Sequence, residues 1–169
     1  IQRSCDVYFY EIARKLGVDR LSITAKKFGL GKHVLSDFVE ERSGVVPNTK
    51  WKKKFIGQNW YIGETLHTGI GQGYFLSTPI QLCLMTAQIA NGGFKIEPRI
   101  IFDNNDNSLR DYIKHKNKYP NEPLPANLLL KNFNLKKLFE DQKNINIVKD
   151  AMFSSSNEPG GTSYRHRME

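Results

Sequence analysis

The sequence has no run of about 18 apolar residues, so none of its segments is long enough to cross a membrane as a helix. It also lacks the charged start and apolar core of a secretory signal peptide. Its two cysteines, Cys5 and Cys83, form no CxxC pair, and its four histidines are scattered without the spacing of metal ligands. We therefore expect no metal site and no cofactor in this chain, and we expect both cysteines to be small buried hydrophobes.

Acidic residues are outnumbered, with 17 Asp and Glu against 25 Lys and Arg, which gives a formal net charge of +8. A lysine cluster (Lys50, Lys52, Lys53 and Lys54) surrounds Trp51. We interpret this cluster as a solvated loop, because the other basic residues are spread among acidic ones. A surface for nucleic acid is the alternative that the charge leaves open, and steep salt dependence of binding would reveal it. We expect no nucleic-acid partner.

The first 30 residues predict a helical hairpin. Apolar residues recur along residues 5–16 at the spacing of one helical face, with Ser4 as the N-cap and Gly17 as the C-terminal glycine. Asp19 is predicted to cap a second, shorter helix that ends at Gly29.

The middle of the chain contains the strongest helix start. Thr78-Pro79-Ile80-Gln81 combines an N-cap threonine, a proline at the first helical position and a capping-box glutamine. It predicts a helix over residues 79–90 that is apolar almost all round, so we expect this helix to be buried at the centre of a domain. The glycine-punctuated residues 29–63 are predicted to be irregular.

The last part of the chain changes composition. Residues 94–102 predict a strand or hairpin arm. Residues 103–145, rich in Asn and Lys, are predicted to be a surface insertion of unknown role with one short helix near residues 135–139. A final helix is predicted over residues 145–153, followed by a loop over residues 154–161.

The Ser4-Cys5-Asp6 triplet opens the first predicted helix. Both polar side chains can face a neighbouring cleft, where the helix N-terminus favours negative charge. Taken by itself, the triplet is explained better by a serine N-cap and an aspartate that complements the helix dipole, because S-x-D is common by chance.

The order of several short stretches is more specific than any one of them. In chain order they are residues 4–10, 16–21, 28–31, 40–44, 60–65, 69–74, 78–81, Asn91-Gly92-Gly93 and the turn Gly160-Gly161-Thr162. In this order the chain resembles class B penicillin-binding proteins, with the strongest likeness to the penicillin-binding protein 2 branch of cell-elongation transpeptidases. Residues 103–145 have no part in the resemblance.

That family builds its site from three motifs, of which one occurs here. The resemblance assigns Ser4 and Asp6 to the second motif, S-x-N or S-x-D. The first, S-x-x-K with the serine nucleophile and the lysine base, does not occur in this sequence, and neither does the third, K-[ST]-G. Since these motifs lie upstream of the triplet and shortly after the turn at 160–162 in the family, we expect both just outside residues 1–169. We therefore interpret residues 1–169 as an internal part of one transpeptidase domain, inactive by itself.

The resemblance implies an α+β fold, of which this segment holds the mostly helical portion with few strands. It implies acyl transfer through a covalent serine ester, in which the nucleophile attacks the penultimate D-Ala carbonyl of a peptidoglycan stem peptide. Ser4 would relay a proton, and Asp6 would accept a hydrogen bond from the substrate amide or from the lysine base.

The resemblance also implies partners and a location. The partners are peptidoglycan stem peptides, β-lactam antibiotics and other proteins of the cell-elongation machinery. The location is the periplasmic face of the bacterial inner membrane, with the anchor outside this segment. Two alternatives stay open: a catalytically degenerate penicillin-recognising protein that binds wall peptides or partners, and a D,D-carboxypeptidase.

Overall fold

The computed structural model describes residues 1–35, 38–98, 100, 107–119 and 136–166. This part of the chain is mostly helical, and its β-structure consists of two isolated antiparallel bridges. The prediction of a mostly helical portion with few strands is thus confirmed for the described residues. None of the described helices has both the length and the apolar character needed to cross a membrane. The helices are α1 (Asp6–Leu16), α2 (Val18–Lys27), α3 (Thr49–Phe55), α4 (Ile62–Gly69), α5 (Pro79–Ala90), α6 (Asn107–Lys118) and α7 (Lys143–Asn157), followed by a 3-10 turn over Tyr164–His166.

The predicted hairpin of α1 and α2 is confirmed. Gly17, at φ 77°, joins the two helices and donates its N–H to the Ala13 carbonyl at 2.9 Å. Helix α1 packs along α4 at close range, because a Cβ at Gly69 would lie 2.4 Å from the Cβ of Ala13. Asp19 does not cap α2 as predicted. Its carboxylate accepts hydrogen bonds from the N–H and hydroxyl of Thr49 at 3.1 and 3.0 Å, so it ties α2 to the start of α3.

The prediction that residues 29–63 are irregular is wrong for the lysine cluster, because all four of its lysines lie in α3. Asn48 precedes this helix, and its Oδ1 accepts a hydrogen bond from the Trp51 N–H at 2.7 Å. Lysine is a good helix former, so with this cap the cluster folds as a helix instead of a solvated loop. Helix α4 also begins inside the predicted irregular stretch, at Ile62.

Helix α5 begins and ends where the sequence predicts. Thr78 Oγ1 accepts from the Gln81 N–H at 3.4 Å, and Gln81 Oε1 accepts from the Thr78 N–H at 3.2 Å, which forms the predicted capping box. The Gln81 side-chain amide also donates to the carbonyls of Lys32 and Ser43 at 2.7 and 2.8 Å. Gln81 is fully buried and holds the loop between α2 and α3 against the helix.

The sequence predicts that α5 is buried at the centre of a domain, and within the described residues the helix buries one face. On the opposite side Leu82 is 44% exposed and Cys83 is also exposed. Cys5 is exposed too, since it precedes α1 as its N-cap residue, so the prediction that both cysteines are buried is wrong. The buried positions of α5 are Gln81, Leu84, Gln88 and Ile89.

The predicted strand over residues 94–102 is reduced to one bridge in the described residues, between Phe94 and Lys137. The Lys95 N–H donates to the Lys136 carbonyl at 2.8 Å beside it. The short helix predicted near residues 135–139 is therefore wrong over residues 136–139, because their backbone pairs with residues 93–95 instead. Residues 99, 101, 102 and 135 lie outside the described residues. The assignment of residues 103–145 as an insertion stays a prediction, although α6 lies within it.

The final predicted helix is present as α7 and is longer at both ends than predicted. Ser154–Asn157 continue the helix and do not form a loop, and the Asn157 amide donates to the Phe153 carbonyl at 3.0 Å in the last turn. Helix α7 packs against the end of α5 through Ile145, whose Cγ1 would lie 3.1 Å from a Cβ at Gly93.

Candidate active site

Ser4 lies in the turn before α1 and is not the N-cap that the sequence predicts. The helix begins at Asp6, and Cys5 occupies the N-cap position without a side-chain capping bond. Ser4 adopts φ 46°, in the left-handed region that residues other than glycine rarely occupy. Such a conformation persists where the surrounding contacts determine it, and it is found often at functional sites.

Asp6 occupies the first position of α1, as the sequence predicts for the second polar residue of the triplet. Its carboxylate is exposed at the positive end of the helix, where the backbone dipoles favour negative charge. The structure therefore keeps Ser4 and Asp6 together at one end of α1, with Ser4 bonded to another segment. Their catalytic roles stay predictions.

The segment that contacts Ser4 is the turn after α7. Ser4 Oγ and Thr162 Oγ1 are 2.9 Å apart and share a hydrogen bond, although 158 residues separate them. The Gln2 carbonyl accepts hydrogen bonds from both the N–H and the hydroxyl of Thr162, at 2.9 and 3.0 Å. The Gln2 amide donates to Glu158 Oε2 at 2.9 Å. The two ends of the described chain thus meet at the triplet.

Two glycines allow this turn to lie directly on the end of α7. A Cβ at Gly161 would come within 2.3 Å of the Ser155 carbonyl oxygen and 2.5 Å of the Ser154 carbonyl oxygen. Gly160 has φ 87° and packs against the Arg3 side chain, with 3.4 Å from its hypothetical Cβ to Nη2. Sequence reasoning placed the glycine turn in the family pattern but did not place it against Ser4.

A buried ion pair supports the helices behind the triplet, and sequence reasoning missed it. Lys52, on α3, is 1% exposed, and its Nζ hydrogen-bonds to Glu64 at the start of α4. The ammonium lies 4.6 Å from the ring centroid of Tyr61, 5.8 Å from that of Tyr74 and 6.0 Å from that of Trp60. The face of an aromatic ring attracts a cation, so these three residues compensate part of the hydration that the Lys52 ammonium loses on burial.

The charge of Glu64 follows from the same contacts. Burial raises the pKa of the Glu64 carboxyl, but hydrogen bonds from Lys52 and from the Tyr61 N–H, with the Lys52 charge, outweigh it. The pKa of Glu64 is consequently lowered from its ordinary value, and the ionised form is favoured. Helix α4 also packs on α1, so this pair connects α3 to the helix that carries Asp6.

Within the described part of the chain, no group of three or more His, Cys, Asp or Glu side chains is arranged to hold a metal ion. The triplet itself offers a hydroxyl, which both donates and accepts hydrogen bonds, and a carboxylate, which accepts them.

Residues 1–169 match the family model described as the penicillin-binding protein transpeptidase domain, and the chain belongs to this family. The sequence is 32% identical over 167 residues to the peptidoglycan D,D-transpeptidase MrdA of Escherichia coli strain K12, covering 98% of this chain and 24% of the relative. It is 38% identical over 101 residues to the same enzyme of Haemophilus influenzae, covering 60% of this chain and 16% of the relative. The predicted resemblance to the penicillin-binding protein 2 branch is confirmed.

Solved structures agree with this assignment. The fold is similar to Pseudomonas aeruginosa penicillin-binding protein 2 in complex with WCK 5153, with a TM-score of 0.71 and 35% identity over 98% of this chain and 33% of that one. It is also similar to Helicobacter pylori penicillin-binding protein 2 in its complex with MreC, with a TM-score of 0.75 and 29% identity over 98% of this chain and 26% of that one. The chain spans 24% of the length of the Escherichia coli relative.

Proposed function

We propose that this chain supplies the second catalytic motif, Ser4 and Asp6, to a peptidoglycan D,D-transpeptidase that cross-links stem peptides and is acylated by β-lactams. The observation that carries the proposal is the family match over residues 1–169, with the triplet at the start of α1 and the family's glycine turn bonded to its serine. The nucleophile and the base are assigned to an S-x-x-K motif of the parent protein, since residues 1–169 contain none.

The proposed reaction is acyl transfer in two steps. The nucleophilic serine oxygen bonds to the penultimate D-Ala carbonyl carbon, the peptide C–N bond breaks, and the terminal D-Ala leaves as an amine that takes up the serine proton. The nitrogen of an amine from a second stem peptide then bonds to the same carbonyl carbon, the ester C–O bond breaks, and the proton lost by the amine passes to the serine oxygen. Ser4 carries protons between the lysine base and these amines, because its hydroxyl can accept and donate.

Asp6 is proposed to orient the donors around Ser4. Its side chain lies exposed at the N-terminus of α1, and a carboxylate accepts hydrogen bonds and donates none. A substrate amide N–H or the lysine ammonium would therefore be held by Asp6 within reach of Ser4. Neither residue forms the covalent bond in this mechanism.

Partners and location belong to the same proposal. The Helicobacter pylori relative is described in complex with MreC, which supports a partner from the cell-elongation machinery for the parent of this chain. Stem peptides and β-lactams are the proposed ligands, and the periplasmic face of the inner membrane is the proposed location, where peptidoglycan is assembled.

Intact mass after incubation with benzylpenicillin tests the proposal. We expect the parent protein to gain the mass of the drug and the 169-residue chain to gain none. The parent with the S-x-x-K serine changed to alanine is the matched control, and it too should gain no mass.

Labelling of the 169-residue chain itself would contradict the motif assignment, since a serine or threonine within it would then be the nucleophile. Absence of labelling in the wild-type parent would favour a catalytically degenerate protein that binds wall peptides or partners. If the parent is labelled and releases D-Ala but does not cross-link stem peptides, it is a D,D-carboxypeptidase.

A further inference from the structure

The hydroxyls of Ser4 and Thr162 and the carbonyl of Gln2 form a chain of hydrogen bonds that begins at the triplet. Ser4 Oγ lies 2.9 Å from Thr162 Oγ1, and Thr162 Oγ1 lies 3.0 Å from the Gln2 carbonyl oxygen. The distances identify the bonded atoms, and the direction of each bond follows from the number of protons available.

The Gln2 carbonyl can only accept, so the single hydroxyl proton of Thr162 points to it. Thr162 then has no proton for Ser4, and the Ser4–Thr162 bond must use the proton of Ser4. The Ser4 proton is thus directed to Thr162, and the lone pairs of Ser4 stay available to accept from other donors. In this state Ser4 presents itself to the site as an acceptor.

We propose that Thr162 is a positioning residue that sets the direction of the Ser4 hydroxyl, so that Ser4 receives a hydrogen bond from an N–H donor of the active site. This inference rests on the proposed function, because the donor would be the lysine base or a substrate amine. Thr162 gains and loses no proton. When Ser4 donates in the relay, its hydroxyl rotates away from Thr162, and the bond re-forms afterwards.

Two further features fit this role. The N–H of Thr162 donates to the same Gln2 carbonyl at 2.9 Å, so its backbone stays in place when the side chain is changed. Threonine is also stiff at χ1, because its β-carbon carries two heavy atoms, and its hydroxyl keeps one direction better than that of serine. The backbone of Ser4 adopts φ 46°, and its N–H donates to the Ile1 carbonyl at 3.2 Å.

The test uses the parent protein and the rate of acylation by benzylpenicillin, measured over a range of pH together with the melting temperature. Thr162→Val keeps the shape and removes the hydroxyl, so we expect acylation to slow about 3- to 10-fold. Thr162→Ser should stay within about twofold of wild type, since the bonds remain. Ser163→Ala, which removes a neighbouring exposed hydroxyl, is the matched control and should leave the rate unchanged.

A double-mutant cycle separates positioning from general support of the fold. If Thr162 acts through Ser4, then Thr162→Val added to Ser4→Ala slows acylation no further than Ser4→Ala does. Should Thr162→Val lower the melting temperature, Thr162→Ser and Thr162→Ala provide a second comparison, because both lack the γ-methyl and differ in the hydroxyl. We expect the serine variant to be the faster of the two.

The inference is overturned if Thr162→Val reacts like wild type, if it slows the Ser4→Ala protein by the same factor, or if Thr162→Ala is as fast as Thr162→Ser. These results leave the proposed function intact as long as the wild-type protein is acylated. A wild-type protein that takes up no drug overturns the proposed function and this inference with it.

Discussion

Lys52 occupies an environment that a lysine ammonium seldom tolerates. Its side chain is 1% exposed, and an isolated charge there would lose most of its hydration energy. The contacts that replace water are the Glu64 carboxylate and the faces of three aromatic rings. Breaking such a pair from one side leaves a charge without compensation, which is more harmful than removing the pair as a whole.

Lys52→Met should therefore lower the free energy of unfolding by about 2–3 kcal/mol, less than for a fully buried pair because Glu64 is 22% exposed. Urea unfolding measures this change when it is followed by the fluorescence of Trp51 and Trp60, the two tryptophans of this chain, which lie near Lys52 in the sequence. Lys53→Met, which removes the same charge from an exposed position of α3, should stay within about 0.5 kcal/mol of wild type. Equal effects of the two substitutions would refute the role assigned to Lys52.

The lowered pKa of Glu64 makes part of the stability depend on pH. A carboxyl whose pKa is lower in the folded state stabilises the fold above its ordinary value of 4.5, and this contribution is lost as the pH falls through the folded-state pKa. Unfolding free energies from about pH 7 to about pH 3 should therefore fall less steeply for Glu64→Gln than for wild type. Glu40→Gln, which removes an exposed carboxylate, is the matched control. Parallel curves for Glu64→Gln and wild type would contradict this account.

At the scale of elements, the turn after α7 depends on the absence of a side chain. Gly161 lies so close to the carbonyls of Ser154 and Ser155 that a Cβ would overlap with both oxygens. The end of a helix presents carbonyl groups without intrahelical partners, and here the Ser163 N–H donates to the Ser155 carbonyl at 3.0 Å. The turn thus supplies a hydrogen-bond donor to a carbonyl at the end of α7 and holds Thr162 beside Ser4.

Gly161→Ala should lower the free energy of unfolding by about 1–3 kcal/mol, because the turn must move away from α7 to make room. The same shift should separate Thr162 from Ser4 and slow acylation of the parent protein. Gly63→Ala is the matched control: a Cβ at this position of α4 meets nothing within 4 Å, so neither quantity should fall. Urea unfolding measures the change in stability, and benzylpenicillin acylation of the parent protein measures the change in rate. If Gly161→Ala matched wild type in both, the tight contact between the turn and α7 would not have the role assigned to it.

At the scale of the whole molecule, the two ends of the described chain form one site. Residues 2 and 4 contact residues 158 and 162 through side chains and backbone, across a sequence separation of more than 150 residues. The helices between them act as the support: α1 packs on α4, and α7 packs on α5. The candidate site is therefore a product of the packing of the helices and not of any one segment.

The sequence by itself determined the elements whose signals are local. The capping box at Thr78 and Gln81, the glycine between α1 and α2, and the order of the family motifs all depend on residues that are near each other in the chain. They were predicted correctly because helix caps and turns depend on backbone groups within a few residues. The family assignment came from the same local stretches, read in order.

The tertiary structure alone decided which groups meet. In the folded chain Ser4 bonds with Thr162 and is not the N-cap, and Asp19 bonds with Thr49 and does not cap α2. Lys52 is buried against Glu64, whereas Cys83 is exposed. Each of these outcomes depends on a partner 12 or more residues away or on the face that a helix presents to its neighbours. Periodicity and propensity describe one segment at a time, so they carry no information about the partner that packing brings to a side chain.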